Sequence, residues 1–580
     1  MKLLFIWVKE YACLKDKKIN FSVSPRFDFD YKSMTLTQIS TENAFSLFPL
    51  SEDSCIENIS AIVGKNGSGK TSICRLLYET VFYGHVDIEY LFVYQKNDAL
   101  YLASSYDKDN IRTNITFSDA RYGTGFNVLY YSPFYFNMHR MPKMGADTMS
   151  FFKDVSTSNL METSLKNDKN ARLDIDYQKT YTVDSRTANA ILDNRRCLMF
   201  LTKLQHLSKA KSALDITPPK SVLFSIDKNQ FHKFEAECHE DTSLRKIYDT
   251  LKANTRSDIH DKETFIENLL LAMFCNFVTT YHLETRQGVH DAIKDEYCAR
   301  IEKGYGENKN GVRNCLHSIF KNIAVLDNIT TELEYPINNK KQCAALDFIA
   351  FIENLADTCF KNEYIVLAID DTEESRSVTT LFETYQIIKG TTEFLRAEFF
   401  PALSSGEYSE ILLYARLMDG LDEILQASHN QKDTLIFLDE VETTLHPKLQ
   451  QRLVYNCITF LEEFYGSEKK GKFHVIFATH SPIILSDFQA ASTVFLANDS
   501  TNFRHAQTFA ANIYQLYNDS FFLEDTPIGN FARHIINAAI KEINDCYENP
   551  EKTLSERTRR IVDLIGEPVF RNLLKARIRN

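Results

Sequence analysis

Eight residues constrain this chain more than any others. Gly64-Lys65-Asn66-Gly67-Ser68-Gly69-Lys70-Thr71 follows the apolar run Ala61-Ile62-Val63, and a helical pattern opens behind it at Ser72 and runs to Val81. Strand, glycine-rich loop and helix in that order make a phosphate loop. Glycines at 64, 67 and 69 let the loop bend until successive backbone N–H groups face one anion, and the helix start adds partial positive charge. Lys65, Asn66, Ser68 and Ser72 complete the cradle. Lys70 can reach terminal phosphates, and the Thr71 hydroxyl can ligate Mg²⁺. The bare pattern arises by chance in roughly 2 of 100 chains of this length, and the flanking strand and helix lower that further.

Two more strand ends carry chemistry. Leu435-Ile436-Phe437-Leu438 is a solidly apolar strand ending in Asp439-Glu440. Carboxylates at the C-terminal end of a parallel strand point into the ligand crevice. Asp439 would hold Mg²⁺ and Glu440 would orient and polarise an attacking water; taken alone, the pair also reads as a solvated acidic turn. His474 to Ala478 is a second apolar strand, followed by Thr479-His480-Ser481-Pro482. It lands His480 at the same crevice, where an imidazole could donate to a γ-phosphate; a lone His after a strand is otherwise an ordinary loop or core residue.

The 580 residues suffice for three or four domain-sized units of roughly 150, or for two with a large insertion. Residues 1–150 read as strands and turns around one helix, and 151–361 as mainly helical, with helices at Phe265 to Thr280 and Ala344 to Lys361. Residues 362–520 return to alternation: strands Tyr364 to Ala368, Thr434 to Leu438 and His474 to Ala478, helices Tyr408 to Gln426 and Lys448 to Phe464. Residues 521–580 read as a helical tail. Apolar strands alternating with helices indicate a parallel sheet covered on both faces. The expected fold is therefore an α/β head built from both ends of the chain around a large helical insertion. Pro218-Pro219 and Gly304 to Gly311 break any heptad pattern, so a long coiled-coil arm is not expected.

Between the two halves lies Leu403-Ser404-Ser405-Gly406-Glu407. Locally this is a helix start, with Ser404 or Ser405 as N-cap and Glu407 in the first turn. It also resembles the signature motif of ABC-type ATPases, LSGGQ, with Ser405 replacing the first glycine and Glu407 the glutamine. The order of phosphate loop, insertion, signature, Asp-Glu strand and His resembles an ABC-type P-loop ATPase head of the SMC/RecF/OLD-like branch. Leu438 to Pro447 is similar to the DEPExxLHP form of the RecF- and OLD-like members, with Val441 where proline is usual; His446-Pro447 also reads simply as the cap of the next helix. The tail segments Thr508 to Tyr514 and Asp519 to Leu523 resemble Septu PtuA-like and retron-associated anti-phage defence ATPases.

The resemblance implies ATP and Mg²⁺ as cofactors, with Lys70, Glu440 and His480 catalytic and Thr71 and Asp439 at the metal. It implies a head-to-tail homodimer in which Ser404, Ser405, Gly406 and Glu407 of one copy face the phosphate loop of the other, and Val441 to Leu445 crosses between copies. It further implies control of a separate nuclease subunit, with a reverse transcriptase or nucleic-acid component in a retron-associated setting. The sequence departs from the family pattern at one element. ABC heads carry a glutamine after a strand downstream of the phosphate loop; Val128 to Pro133 looks like that strand end, but no glutamine follows, and Gln95 in the turn Gln95-Lys96-Asn97-Asp98 is a weak substitute. Slow hydrolysis is the expectation. A RecF-like repair ATPase binding DNA directly, and a nucleotide-gated scaffold with negligible turnover, are the alternatives.

Charge limits the partners. With 66 basic and 78 acidic residues the net charge is −12, so nucleic acid would have to meet a local patch. Two exist, Arg195, Arg196, Lys203, Lys209 and Lys211, and Arg571, Lys575, Arg577 and Arg579; either could track phosphates, or be a solvated face or docking surface. After His480 the acids Asp487, Asp499 and Asp519 lack the DxD spacing of a Toprim nuclease. The 12 cysteines include no CxxC pair, which indicates free thiols in a reducing compartment. No apolar stretch approaches about 18 residues, and Leu3 to Val8 runs into Lys9-Glu10 without a cleavage site, so a cytoplasmic protein without a membrane span is expected.

Overall fold

The computed structural model describes residues 1–39, 45–83, 87–118, 126–134, 152–160, 185–207, 213–237, 242–255, 261–282, 313–318, 339–369, 377–378, 380–382, 384–385, 394–427, 433–466, 471–496, 507–519, 529–549 and 551–579. The chain opens with β1 (Lys2–Tyr11), β2 (Leu14–Asn20), β3 (Arg26–Asp30), β4 (Thr35–Ile39) and β5 (Ile56–Gly64). Helix α1 (Lys70–Leu77) follows the phosphate loop and continues as a π-helical segment, Tyr78–Tyr83. Then come β6 (Tyr90–Lys96), β7 (Ala99–Ser104), β8 (Arg112–Thr113), β9 (Asn127–Tyr131), β10 (Phe152–Asp154) and α2 (Ser185–His206). Strand β11 (Ser221–Ile226) precedes helices at Asn229–Glu237, Thr242–Asn254, Lys262–His282 and Asn339–Asn354. The remainder holds β12 (Phe360–Lys361), β13 (Tyr364–Ala368), β14 (Leu395–Phe400), α3 (Ser405–Ala427), β15 (Thr434–Asp439), α4 (Pro447–Tyr465), β16 (Phe473–Thr479) and β17 (Thr493–Leu496), with helices to Arg579.

Six parallel strands in the order β10-β9-β15-β16-β5-β17 make the central sheet. Every residue of β9, β15 and β16 is buried, which is why these strands read as uninterrupted apolar runs. Their side chains alternate between two layers. Val128, Tyr130, Leu435, Phe437, Ile476 and Ala478 pack toward α1 and the N-terminal strands. Leu129, Tyr131, Ile436, Leu438, Val475 and Phe477 pack with residues of α2, α3 and α4. The first layer is backed by an antiparallel sheet, β2-β1-β6-β7. Register brings the working ends level: Thr479 lies opposite Val63 and Asp439 opposite Ala478, so β5, β15 and β16 finish together where the phosphate loop begins.

Several local expectations shift: α1 starts at Lys70 rather than Ser72 and becomes π-helical after Leu77. Helix α3 starts at Ser405 rather than Tyr408. The helix expected to reach Lys361 stops at Asn354, and the chain turns through Asp357–Cys359 into β12. Asn362, at a positive φ of 53°, sits between β12 and β13, a conformation Asn tolerates better than most residues. The stretch expected to be mainly helical also contains β11, which pairs antiparallel with both β13 and β14. Its apolar run Val222-Leu223-Phe224 behind Pro218-Pro219 is a short strand signal of the kind periodicity alone does not separate from a buried helix.

Two residues of the first basic patch are paired within the chain. Arg196 pairs with Asp193 at 3.0 Å and with Asp419 of α3 at 2.7 Å, and Lys203 pairs with Asp422 at 3.5 Å; Lys209 and Lys211 lie outside the described residues. Sequence composition displayed the cations but not the acids of α3 that fold against them. In the tail, Lys575 pairs with Asp563, Arg571 donates to the Ile565 carbonyl at 2.7 Å, and the Arg577 guanidinium lies 5.5 Å from the Tyr547 ring centre; the Arg579 side chain lies outside the described set. No helix among the described residues is long and apolar enough to cross a membrane.

His474 of β16 ties the layers together and makes stability pH-dependent. Its Nδ1 accepts from Leu3 N–H at 3.1 Å, and Nε2 meets Ser60 Oγ at 2.6 Å and Asn58 Nδ2 at 3.0 Å. Burial pushes its pKa well below 6.5, reinforced by Lys2 and the N-terminal ammonium. The unfolded chain therefore takes up a proton below pH 6.5 that the folded chain does not, and stability falls as pH drops through that range. Between pH 6 and 5 this contributes at most about 1.4 kcal/mol per pH unit. Urea unfolding of His474→Gln should show a correspondingly flatter acid limb; an unchanged slope would mean that His474 is not held neutral.

Candidate active site

The phosphate loop is shaped by conformations that few residues other than glycine adopt. Gly67 and Gly69 have φ of 77° and 99°, the left-handed region. A Cβ on Gly69 would lie 2.8 Å from both Cys13 Sγ and Leu14 Cδ2, and one on Gly64 would lie 2.4 Å from Ser68 Oγ. The turn between β1 and β2 thus packs on the loop and fixes its rim. Lys65 and Asn66 are exposed, Ser68 and Lys70 buried, Thr71 and Ser72 half-buried. Among the described residues, buried Ser68 Oγ has no hydrogen-bond partner.

Side chains from the start of α1 and from the ends of β15 and β16 converge at this loop. Lys70 Nζ donates to the Gly64 carbonyl at 3.3 Å, touches His480 Nε2, and lies 3.7 Å from Glu440 Oε1. His480 Nε2 is 3.1 Å from the same Glu440 oxygen. Burial lowers the Lys70 pKa, an effect opposed by the charges of Glu440 and Asp439. Hydrogen bonding to His480 holds the Glu440 carboxyl below the usual carboxylate range, so Glu440 is an anion at neutral pH. Its backbone is left-handed, φ 51° and ψ 40°, uncommon for a residue with a Cβ. The chain holds it there because Glu440 N–H donates to the Ala478 carbonyl at 2.8 Å while the Glu440 carbonyl accepts from Thr443.

Beside this triangle, Asp439 Oδ2 accepts from Thr71 Oγ1 at 2.7 Å and from Tyr130 OH at 2.9 Å. Its other oxygen, Oδ1, is buried without a partner among the described residues, and burial pushes the carboxyl up to about 6. A buried carboxylate with an orphaned oxygen next to a threonine hydroxyl is a hard-oxygen donor set suited to a divalent cation. Asp439 and Thr71 could therefore hold Mg²⁺.

The signature segment lies at the start of α3. Ser404 is its N-cap: Ser404 Oγ and N–H both donate to Glu407 Oε2, at 2.7 and 2.8 Å, and Glu407 N–H returns to Ser404 Oγ at 3.3 Å. This is a capping box. Ser404 and Ser405 are exposed, whereas Gly406 turns inward, where a Cβ would meet Leu449 Cδ1 at 3.0 Å. Among the described residues, the hydrogen bonds of Ser404 and Glu407 stay within this cap and do not reach the phosphate loop. His446 is the N-cap of α4, its Nδ1 accepting from Lys448 N–H at 3.2 Å, as the local reading has it.

The contacts of two further residues are not visible in the sequence. Glu442 is buried, and its Oε1 accepts from Thr479 Oγ1 at 2.6 Å and from His480 N–H at 2.8 Å. It thereby pins the His480 loop to the carboxylate strand. Gln450 extends the clamp, accepting from Ser481 Oγ at 2.7 Å and donating to the Leu445 carbonyl at 2.9 Å. Glu442 is the second glutamate of the DEPExxLHP-like segment, but local spacing does not show which group it meets; its partner lies 38 residues away. Gln95 lies on β6, opposite Lys2 and Leu100, and is absent from the described contacts of the site.

A family model described as "AAA domain, putative AbiEii toxin, Type IV TA system" matches residues 412–486. That stretch includes Asp439, Glu440, Glu442 and His480 but neither the phosphate loop nor the signature segment. The chain is also 28% identical over 156 residues to "Old nuclease" of Escherichia phage P2, an alignment spanning 23% of this chain and 25% of that protein. The chain thus carries a region similar to AAA-type ATPase domains and is distantly similar to an OLD-family protein.

Proposed function

We propose that the chain is an ATPase of ABC type whose head is assembled from both ends of the sequence and which hydrolyses ATP at sites shared between two copies. The observation that carries this reading is the convergence of Lys70, Glu440 and His480 beside Thr71 and Asp439. The sheet supports the two-ended head, since β5, β9 and β10 from the first part of the chain interleave with β15, β16 and β17 from the last.

In this arrangement Lys70, His480 and Glu440 satisfy one another. The terminal phosphate of ATP would compete for the ammonium and the imidazole, drawing both away from Glu440. Lys70 then carries the phosphate charge, His480 donates to the γ-phosphate, and Glu440 is released to orient and polarise the attacking water. Mg²⁺ held by Thr71 and Asp439 would neutralise charge on the phosphate oxygens. The ground-state triangle is thereby a closed form that nucleotide opens, consistent with slow turnover.

The exposed N-terminus of α3 supplies the second half. Glu407 satisfies the Ser404 N–H, while the first helical N–H groups lack intrahelical partners and form a partial positive charge suited to a phosphate. We assign that phosphate to ATP on a second copy, head to tail. Lys70→Ala and Ser404→Arg proteins should each be inactive alone. Mixed and re-equilibrated, they should regain about a quarter of wild-type ATPase, because half of randomly paired dimers hold one intact site of two. No recovery would mean that the sites are not shared.

We place the chain in anti-phage defence as the regulatory ATPase of a separate nuclease subunit, in the manner of Septu- and retron-associated ATPases. Similarity to a phage protein whose name is a nuclease supports a nuclease context, while the acids after His480 lack DxD spacing, which supports an effector on another chain. Internal pairing of Arg196 and Lys203 disfavours direct tracking of DNA by that helix. Native mass spectrometry of the complex expressed with its neighbouring genes tests the partner: a bound nuclease subunit is expected, and a chain recovered only with itself would remove this role.

A further inference from the structure

An ABC head positions its metal and water partly with a glutamine, and none follows β9. One residue before the end of that strand stands a tyrosine. Tyr130 is buried in the layer facing α1, and its hydroxyl donates to Asp439 Oδ2 at 2.9 Å. We infer that Tyr130 is the positioning residue for the metal-holding carboxylate, in place of the expected glutamine. This rests on the nucleotide-site reading above.

Three observations carry it. First, Oδ2 is held by two donors, Thr71 and Tyr130, while Oδ1 has none among the described residues. Two hydrogen bonds on one oxygen fix the carboxylate plane and present the other oxygen. Thr71 belongs to the cation's own donor set, so a metal that engages the Thr71 hydroxyl leaves Tyr130 as the group keeping Asp439 oriented. Second, the phenol is rigidly placed. Tyr130 lies opposite Phe437 on β15, with ring centres 6.1 Å apart, and has few rotors to immobilise. Third, the strand beneath it is gripped from its other face. Tyr131 points into the helical layer, its ring centre 6.0 Å from the Arg416 guanidinium of α3. Arg416 in turn pairs with buried Asp193 at 2.6 Å and donates to Thr157 Oγ1 at 2.7 Å. Gly420 of α3 packs so closely on β9 that a Cβ there would lie 2.6 Å from Leu129 Cδ1. Consecutive residues of one strand therefore tie the metal-holding carboxylate to the helix that begins at Ser405.

The test is the Mg²⁺ dependence of mant-ATP binding, followed by fluorescence for wild type, Tyr130→Phe and Tyr130→Gln. Tyr130→Phe removes one oxygen and keeps the ring. The Mg²⁺ concentration for half-maximal binding should rise about 10-fold, the loss of one hydrogen bond to a charged group, and should move at least about five times more than the affinity measured in EDTA. Tyr130→Gln, which can still donate, should recover part of the shift; loss of packing alone would weaken binding with and without metal alike and would not be rescued by an amide. An unmoved Mg²⁺ dependence in Tyr130→Phe, with wild type binding normally, overturns the assignment of Tyr130. Failure of wild type itself to bind mant-ATP overturns the nucleotide-site reading on which it stands.

Discussion

Glu440→Gln should stop phosphate release while leaving ATP bound. The side chain sits 3.1 Å from His480 and 3.7 Å from Lys70, and its lowered pKa keeps it ionised at neutral pH. An amide of the same size retains the hydrogen-bonding shape and the left-handed backbone but cannot accept the proton of an attacking water. General-base loss of this kind costs roughly 10²–10⁴ in turnover. Nucleotide affinity should be retained or increased, because the substitution removes an anion from beside the phosphates. Single-turnover phosphate release and equilibrium binding of labelled ATP together check it; wild-type turnover in this variant would remove Glu440 from its role.

Lys70→Ala should act one step earlier, on binding itself. Lys70 is only 5% exposed and faces two carboxylates, Glu440 and Asp439, as well as the loop. Without its ammonium, ATP would enter a pocket with uncompensated negative charge and one donor fewer. A charge-assisted hydrogen bond of about 1.5–3 kcal/mol corresponds to roughly 10–100-fold in Kd. The two variants therefore separate: one should bind and not turn over, the other should bind poorly. Calorimetric titration with a non-hydrolysable ATP analogue measures the second; unchanged affinity would contradict the phosphate-loop assignment.

How much of this was legible beforehand depended on chain separation. The phosphate loop, the capping box at Ser404 and Glu407, and the Pro447 helix start are built from residues a few positions apart, so composition and spacing expose them. Apolar runs likewise announced β15 and β16, because a strand buried on both faces has no polar side to hide it. Strand β11 was harder, since six residues carry too short a period to distinguish strand from helix. The basic stretch near Arg195 showed its charge but not the acids that meet it.

The linear order of residues was enough to show a glycine-rich loop behind a buried strand and to place Asp439, Glu440 and His480 at the ends of apolar strands, because backbone freedom and hydrophobic periodicity are local properties. Folding alone decided which oxygen meets which donor. Glu442 with His480, Tyr130 with Asp439 and Arg416 with Asp193 are pairs 38, 309 and 223 residues apart, joined by sheet register and by the close fit of α3 on β9. Hydrogen bonding is satisfied in space rather than along the chain, so those partnerships exist only once the strands lie side by side.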